Sequence, residues 1–201
     1  EISGFPKLSS GTFENMSLDY LGRIFKGFKS TSLVKSFLGS ITSMAVFDNR
    51  IFISDIDGSR VFEIENNQKK EVFRAKVGIV TSLQKFGANS IVLTTALSAG
   101  VYFIEYPSFR VSKFIKIPNL DYVLCVQAYG TFIYVVGCGK TGALLKITPK
   151  TGNIETLVTV PEKSLKSLIV FGSKEKPKFY LGGGNSGTIY GFENGKLLAV
   201  W

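Results

Sequence analysis

The 201-residue chain contains no histidine. That removes imidazole metal ligands, the imidazole general base and every Ser-His or Cys-His pair from the mechanisms open to it. Cysteine is nearly absent too: Cys125 and Cys138 are too few for a disulfide scaffold and form neither a C-x-x-C nor a zinc-type spacing. They read as small buried apolar side chains with free thiols, because a hairpin turned at Tyr129-Gly130 leaves them offset. No apolar run approaches the roughly 18 residues needed to span a membrane as a helix, TFIYVV at Thr131 being typical of the longest. No transmembrane segment is expected, and the chain reads as soluble. It starts at Glu1 without Met, a basic n-region or an apolar h-region, as a secreted, processed or excised chain would. No compartment is assigned. Asn15-Met16-Ser17 is a glycosylation sequon, a pattern too short to carry weight.

Acidic residues are also scarce, 15 against 24 Lys plus Arg, for a net charge of +9. Such an excess favours acidic partners such as nucleic acid, anionic glycans or lipid headgroups, although the lysines are scattered and serve solubility as readily. What the chain has in quantity is apolar residues at 45%, 21 glycines and 17 phenylalanines, the mixture of a turn-rich β protein with a real core.

Five segments repeat one order of short apolar strand, tight turn, second strand, Gly-rich turn and third strand. The first strands are FENMSLDYL at Phe13, ITSMAVFDN at Ile41, VTSLQKFGA at Val80, VLCVQAYGT at Val123 and LKSLIVFGS at Leu165, with starts 28, 39, 43 and 42 residues apart. Each is followed by a second β-rich run: RIFKGF at Arg23, RIFISD at Arg50, SIVLTT at Ser90, FIYVVG at Phe132 and KFYLGG at Lys178. Gly58, Gly100, Gly142 and Gly187 then precede alternating third strands, where a turn needing positive φ would select glycine. Fourth strands follow at Glu71, Val111, Ile154 and Lys196. Four antiparallel strands in a unit of about 40 residues describe a propeller blade.

The pattern V-x-x-L … G-x-I-F-I … x-x-G-x-V-Y-x-I resembles bacterial β-propeller repeats of the broad Trp-Asp, NHL and quinoprotein-like group, from Phe13 to Trp201. No Gly-His or Trp-Asp pair and no Trp-docking motif narrows the match to one family. The expectation is an all-β chain, residues 1–201 forming a single β-propeller domain of about five four-stranded antiparallel blades. The first unit is short, with STSLVKSFLG at Ser30 as its third strand. A closed ring is expected, with an arc of a larger ring or a β-sandwich or solenoid as alternatives; an incomplete ring implies self-association.

The chemical motifs are thin. Gly137-Cys138-Gly139-Lys140-Thr141 ends like a phosphate loop, but Tyr134 stands where its first Gly belongs and a strand follows instead of a helix. Asp55 and Asp57 before Gly58 open like a calcium loop, yet Arg60, Phe62 and Ile64 supply no oxygens. Ser54-Asp55-Ile56-Asp57-Gly58 is similar to a sialidase Asp box with Ile56 at the Asp position. The Gly182-Gly183-Gly184 run reads as turn geometry, and Phe52, Tyr102, Phe103, Tyr134, Phe179, Tyr180 and Tyr190 as packing between blades. No catalytic residue, metal site or cofactor is expected.

The resemblance implies that the loops from strand two to three, and from strand four to the next blade, share one ligand-binding face. Its candidates are Asp55, Asp57, Ser98, Lys140, Asn185 and Ser186 from one loop set, and Lys76, Asn119, Asp121, Tyr122, Lys163 and Ser164 from the other. The leading expectation is a non-catalytic scaffold that binds a protein or polymer partner on this face. A carboxylate-based enzyme acting on carbohydrate or a small ester and a polyanion-binding module are the alternatives.

Overall fold

Each apolar run of the repeat is flanked by turn residues and rich in β-branched and aromatic side chains, so it pairs with its chain neighbour as a hairpin. The computed structural model describes residues 16–18, 24–26, 40–48, 50–57, 59–66, 68–193 and 196–200. No helix occurs among them, and so none long and apolar enough to cross a membrane. β1 (Met16–Leu18) and β2 (Ile24–Lys26) form a two-stranded antiparallel hairpin. The second blade comprises β3 (Ile41–Phe47), β4 (Arg50–Asp55), β5 (Arg60–Glu65) and β6 (Gln68–Arg74). The third comprises β7 (Val80–Phe86), β8 (Ser90–Thr95), β9 (Gly100–Glu105) and β10 (Val111–Lys116). The fourth contains β11 (Leu120–Tyr129), β12 (Phe132–Gly139), β13 (Gly142–Ile147) and β14 (Ile154–Val160), and the fifth β15 (Leu165–Gly172), β16 (Pro177–Gly183), β17 (Ile189–Glu193) and β18 (Lys196–Val200). Four complete four-stranded antiparallel meanders plus a partial one give the propeller-like arrangement expected from the repeat. The strand expected at Ser30, and residues Asn15, Gly58 and Trp201, lie outside the described residues.

The central strands of each blade are nearly all apolar because both of their faces are covered. β12 and β13, for example, are buried through Ile133–Gly137 and Gly142–Leu145. Fourth strands carry the charges, with Lys69, Lys70, Lys113, Lys116 and Glu155 placed where an edge must resist further pairing. The first strands β3, β7, β11 and β15 lie side by side in succession, and apolar side chains fill the wedges between blades. Val61, Val80, Leu93 and Ile104 pack between the second and third blades, Val92, Val101, Val135 and Leu145 between the third and fourth, and Leu144, Leu165, Leu181 and Phe179 between the fourth and fifth. The aromatic expectation holds for most of its residues: Phe52, Phe103, Tyr134, Phe179 and Tyr190 are buried. Tyr134 meets Phe179 across a blade boundary at 5.0 Å, and Tyr102 meets Phe73 at 5.6 Å. Tyr180 differs, being exposed and stacked on Phe171 at 5.3 Å.

One irregularity recurs at the start of β3, β7, β11 and β15. The register shifts between Ile41 and Ser43, Val80 and Ser82, Val123 and Cys125, and Leu165 and Ser167, so Thr42, Thr81, Leu124 and Lys166 occupy bulges. A bulge turns its side chain out of the alternation. Thr42 Oγ1 uses this to donate to Val80 O of the next blade at 2.7 Å, and Thr81 Oγ1 to Val123 O, also at 2.7 Å. The following residue accepts in return: Leu83 N–H donates to Ser43 Oγ at 3.0 Å and Val126 N–H to Ser82 Oγ at 3.3 Å. In the fourth blade Cys125 takes this place; burial pushes its thiol pKa up, against the opposing effect of the Leu168 amide on its sulfur.

Three expectations need correction. β11 begins at Leu120, three residues before Val123, because a second register shift between Leu120 and Tyr122 lets the strand extend toward the loops. Cys138 lies within β12 opposite Tyr122, and Cys125 opposite Val136; both are free thiols as expected, but both are half-buried instead of buried. Gly100 and Gly142 do not have positive φ. Close approach selects glycine there, since a Cβ would sit 2.2 Å from the Phe114 ring or 2.7 Å from Glu162 O.

Replacing Thr81 with valine keeps the volume but leaves Val123 O without its donor, so the variant is expected to lose about 1–3 kcal/mol of unfolding free energy in urea. Thr131→Val, in an exposed turn, should stay within about 0.5 kcal/mol of the parent. Equal effects would show that the inter-blade hydroxyl contributes nothing.

Candidate functional site

The loops joining second to third strands lie against the loops joining consecutive blades. Ala75 N donates to Ser59 O at 2.9 Å and Ser98 Oγ to Val77 O at 3.3 Å, tying the loops around the second and third blades. Ile117 N donates to Ala99 O at 2.7 Å, Gly139 N to Lys163 O at 3.1 Å and Gly184 N to Ser164 O at 2.9 Å, carrying the seam to the fifth blade. Isolated bridges pair Ala96 with Tyr122 and Cys138 with Ser164. The glycines permit this proximity: a Cβ on Gly137 would lie 2.0 Å from Tyr122 O. One face is thus built from both loop sets.

The candidate residues fare differently on that face. Asp57, Lys76, Asn119, Asp121, Tyr122, Lys140, Lys163, Asn185 and Ser186 are exposed, while Ser98 is half-buried and Ser164 buried. Asp121 and Tyr122 belong to the first turn-side residues of β11 instead of to a loop. The Ser98 hydroxyl is already engaged with Thr95 Oγ1 at 2.7 Å. Asp55 is not exposed at all; its carboxylate accepts from Arg60 N at 3.0 Å and Arg60 Nε at 2.8 Å and closes the β4–β5 hairpin as a buried ion pair. Lys140 and Thr141 form the turn between β12 and β13 with no helix behind them. Among the described residues no three His, Cys, Asp or Glu side chains converge on a metal position.

Two features of the face escaped the sequence reading. Glu162, which the sequence reading leaves out of the face, receives Asn185 N–H at 2.8 Å and Ser186 N–H at 3.1 Å, with Ser186 Oγ at 3.0 Å. These backbone donors, Asn185 first, hold its carboxyl below the usual glutamate range. They also explain the glycine run: φ is positive at Gly187 and not at 182–184, while a Cβ on Gly183 would strike Glu162 Oε2 at 1.9 Å and one on Gly182 would strike Ser167 Oγ at 2.1 Å. The run exists for close approach, in place of the turn geometry expected.

The second feature is apolar. Ile56, Val77, Leu97 and Tyr122 are large exposed residues on the loops and strand ends of the second to fourth blades. The Ser98–Val77 bond and the Ala96–Tyr122 bridge bring the segments carrying three of them together. Leu97 has φ +68°, a left-handed conformation that costs a leucine about 1–2 kcal/mol.

No family model matches the sequence, and no curated protein does. Solved structures do match in shape. Hydrazine synthase from Kuenenia stuttgartiensis aligns with TM-score 0.67 at 15% identity, over 87% of this chain and 52% of that one. U3-55K aligns with TM-score 0.67 at 16% identity, over 84% and 53%. The computationally designed Ika4 protein aligns with TM-score 0.60 at 13% identity, over 86% of this chain and 98% of its own. The chain spans about half the length of the two natural structures. At these identities the likeness is one of fold, and it agrees with the propeller-like arrangement of the blades.

A group whose folded pKa is lowered adds stability above its unfolded pKa and loses that contribution as pH falls through the folded value. Glu162→Gln should therefore melt below the parent at neutral pH, with the gap closing as pH drops below the ordinary carboxylate range. A gap that is constant with pH in thermal melts would assign the loss to packing.

Proposed function

We propose that this chain is a non-catalytic binding scaffold whose loop face recognises a protein partner. The observation that carries the reading is the apolar row of Val77, Leu97 and Tyr122 on that face, since a cluster of large exposed apolar residues with a polar surround is typical of interaction surfaces. The strained backbone of Leu97 supports it: the strain has no return in the fold, because the side chain points to solvent. The catalytic alternative lacks such support. Of the face's carboxylates, Asp55 is committed to Arg60 and Glu162 to backbone donors, which leaves the exposed Asp57 and Asp121, and no contact among the described residues brings those two together.

A second reading, an acidic polymer as partner, draws on Lys76, Lys140 and Lys163. All three are exposed, and no carboxylate pairs with them among the described residues. They flank the apolar row and suit acidic groups on a partner of either kind.

Leu97→Gly should keep the fold, with stability unchanged or raised by up to about 1 kcal/mol as the positive φ is relieved. In quantitative affinity capture, proteins retained by the parent should be lost by Leu97→Gly and by Val77→Asp but kept by Lys150→Ala, an exposed position on a third-to-fourth-strand turn. Partners that survive both loop-face variants would remove the face from the function.

For the polymer reading, binding to heparin or single-stranded DNA should weaken linearly in log–log salt titrations. Converting Lys76, Lys140 and Lys163 together to alanine should lower the slope by about 2–3. An unchanged slope would place polyanion binding elsewhere on the basic surface.

A further inference from the structure

The wedges between neighbouring blades are filled in different ways. Where the second blade meets the third, the rings of Phe47, Phe52, Tyr106 and Phe109 pack together. Where the third meets the fourth, Phe103 stands beside Phe86 at 5.9 Å. The place of Phe103 in β9, opposite Val92 of β8, is taken in β13 by Lys146, opposite Tyr134 of β12. A lysine head does not stay in an apolar wedge. Lys146 Nζ lies over the Phe132 ring at 4.2 Å and pairs with Glu155 at 3.4 Å. A pocket of about 320 Å³ is left between the fourth and fifth blades, walled by Leu157, Pro177, Phe179 and Phe192. Glu175 and Lys176 of the β15–β16 turn stand at its rim, on the side away from the loop face. Tyr134 gives this pocket a polar base. Its side chain is 2% exposed, and the residues at the same register in β4 and β8 are Phe52 and Val92. The Tyr134 hydroxyl has no hydrogen-bond partner among the described residues and reaches the pocket. Burying a hydroxyl unpaired destabilises a fold, and phenylalanine would fill the same space without that cost, so the partner of the oxygen lies in the pocket. Burial, with the charge of Glu155, pushes the phenol pKa up, which keeps the group a donor at neutral pH.

We propose that this pocket binds a small uncharged aromatic molecule, its ring taking the place that Phe103 fills at the preceding boundary and its carbonyl or hydroxyl oxygen accepting from Tyr134. Phe179 and Phe192, with ring centroids 5.8 Å apart, supply faces and edges for the ring. The pocket is at the small end of the range for ligand sites, which suits a single ring. The charges on its lining cancel, Lys146 and Lys176 against Glu155 and Glu175, so an ion of neither sign is favoured. The site is separate from the loop face, and the two readings stand or fall independently.

The probe is p-cresol, and toluene is its counterpart lacking the oxygen. In heteronuclear NMR spectra of the full 201-residue chain, p-cresol at millimolar concentrations should give saturable shifts at amides around Tyr134, Lys146, Leu157 and Phe179, with toluene binding about tenfold more weakly. Tyr134→Phe should erase that difference by weakening p-cresol alone, and its thermal midpoint without ligand should equal the parent's or exceed it. Tyr129→Phe, which loses the hydroxyl that donates to Gly172 O, should do the opposite, with a lower midpoint and unchanged p-cresol binding. Lys146→Phe should supply the missing ring from within the chain, raise the midpoint and abolish binding of both compounds; the pair it gives up with exposed Glu155 contributes little. Absence of saturable shifts with p-cresol in the parent overturns the proposal and leaves the pocket to water. Equal affinities of the parent for the two compounds overturn it as well, as do p-cresol binding that survives Tyr134→Phe unchanged and shifts that persist in Lys146→Phe.

Discussion

The alignment of neighbouring blades depends on a bulge and the hydroxyl it turns outward. Thr42 and Thr81 leave the pairing of their own hairpins and so can donate to the next blade's carbonyl, while the serines after them accept the next blade's amide. Each such bond adds about 1 kcal/mol, less than the roughly 1.5–3 kcal/mol from burying one Leu, Val or Phe in the wedge behind it. Burial therefore supplies the stability and would tolerate sliding of one sheet over another. The hydroxyl pairs do not tolerate it, because a slip of one residue would strand a carbonyl and an amide together. With first strands locked at one height, all second-to-third-strand loops emerge level with the inter-blade loops, and the face they build follows.

The pairing chemistry is not the same at every boundary. Position 124 is leucine and cannot donate as Thr42 and Thr81 do, and the boundary between the fourth and fifth blades keeps only the contacts of the other kind, Gly139 N on Lys163 O and the Cys138–Ser164 bridge, the latter the counterpart of the Ala96–Tyr122 bridge one boundary earlier. Glycines at 137 and 139 bring the strands that close, their absent Cβ atoms lying 2.0 Å and 2.6 Å from the carbonyls of Tyr122 and Asn119. Cys125 keeps the accepting role of Ser43 and Ser82 with a softer atom. A cysteine that looks like generic core filling from its spacing is thus part of the inter-blade ladder.

Much of this architecture was legible in the sequence, and the unread parts share a cause. The units starting at Ile41, Val80 and Leu165 coincide with β3, β7 and β15, because a period-two apolar pattern closed by turn residues reports hairpins directly. Bulges escape such a reading. An extra residue does not interrupt an apolar run, so the repeat alone starts β11 three residues late and leaves Asp121 and Tyr122 in a loop. Glycine was misread for a related reason: positive φ and close approach both select it, and only geometry separates Gly187 from Gly100, Gly142 and Gly183. Long-range partners are invisible as well. Nothing local shows that Asp55 is spent on Arg60, that Glu162 reaches across 23 residues to Asn185, or that Leu97 is left in solvent.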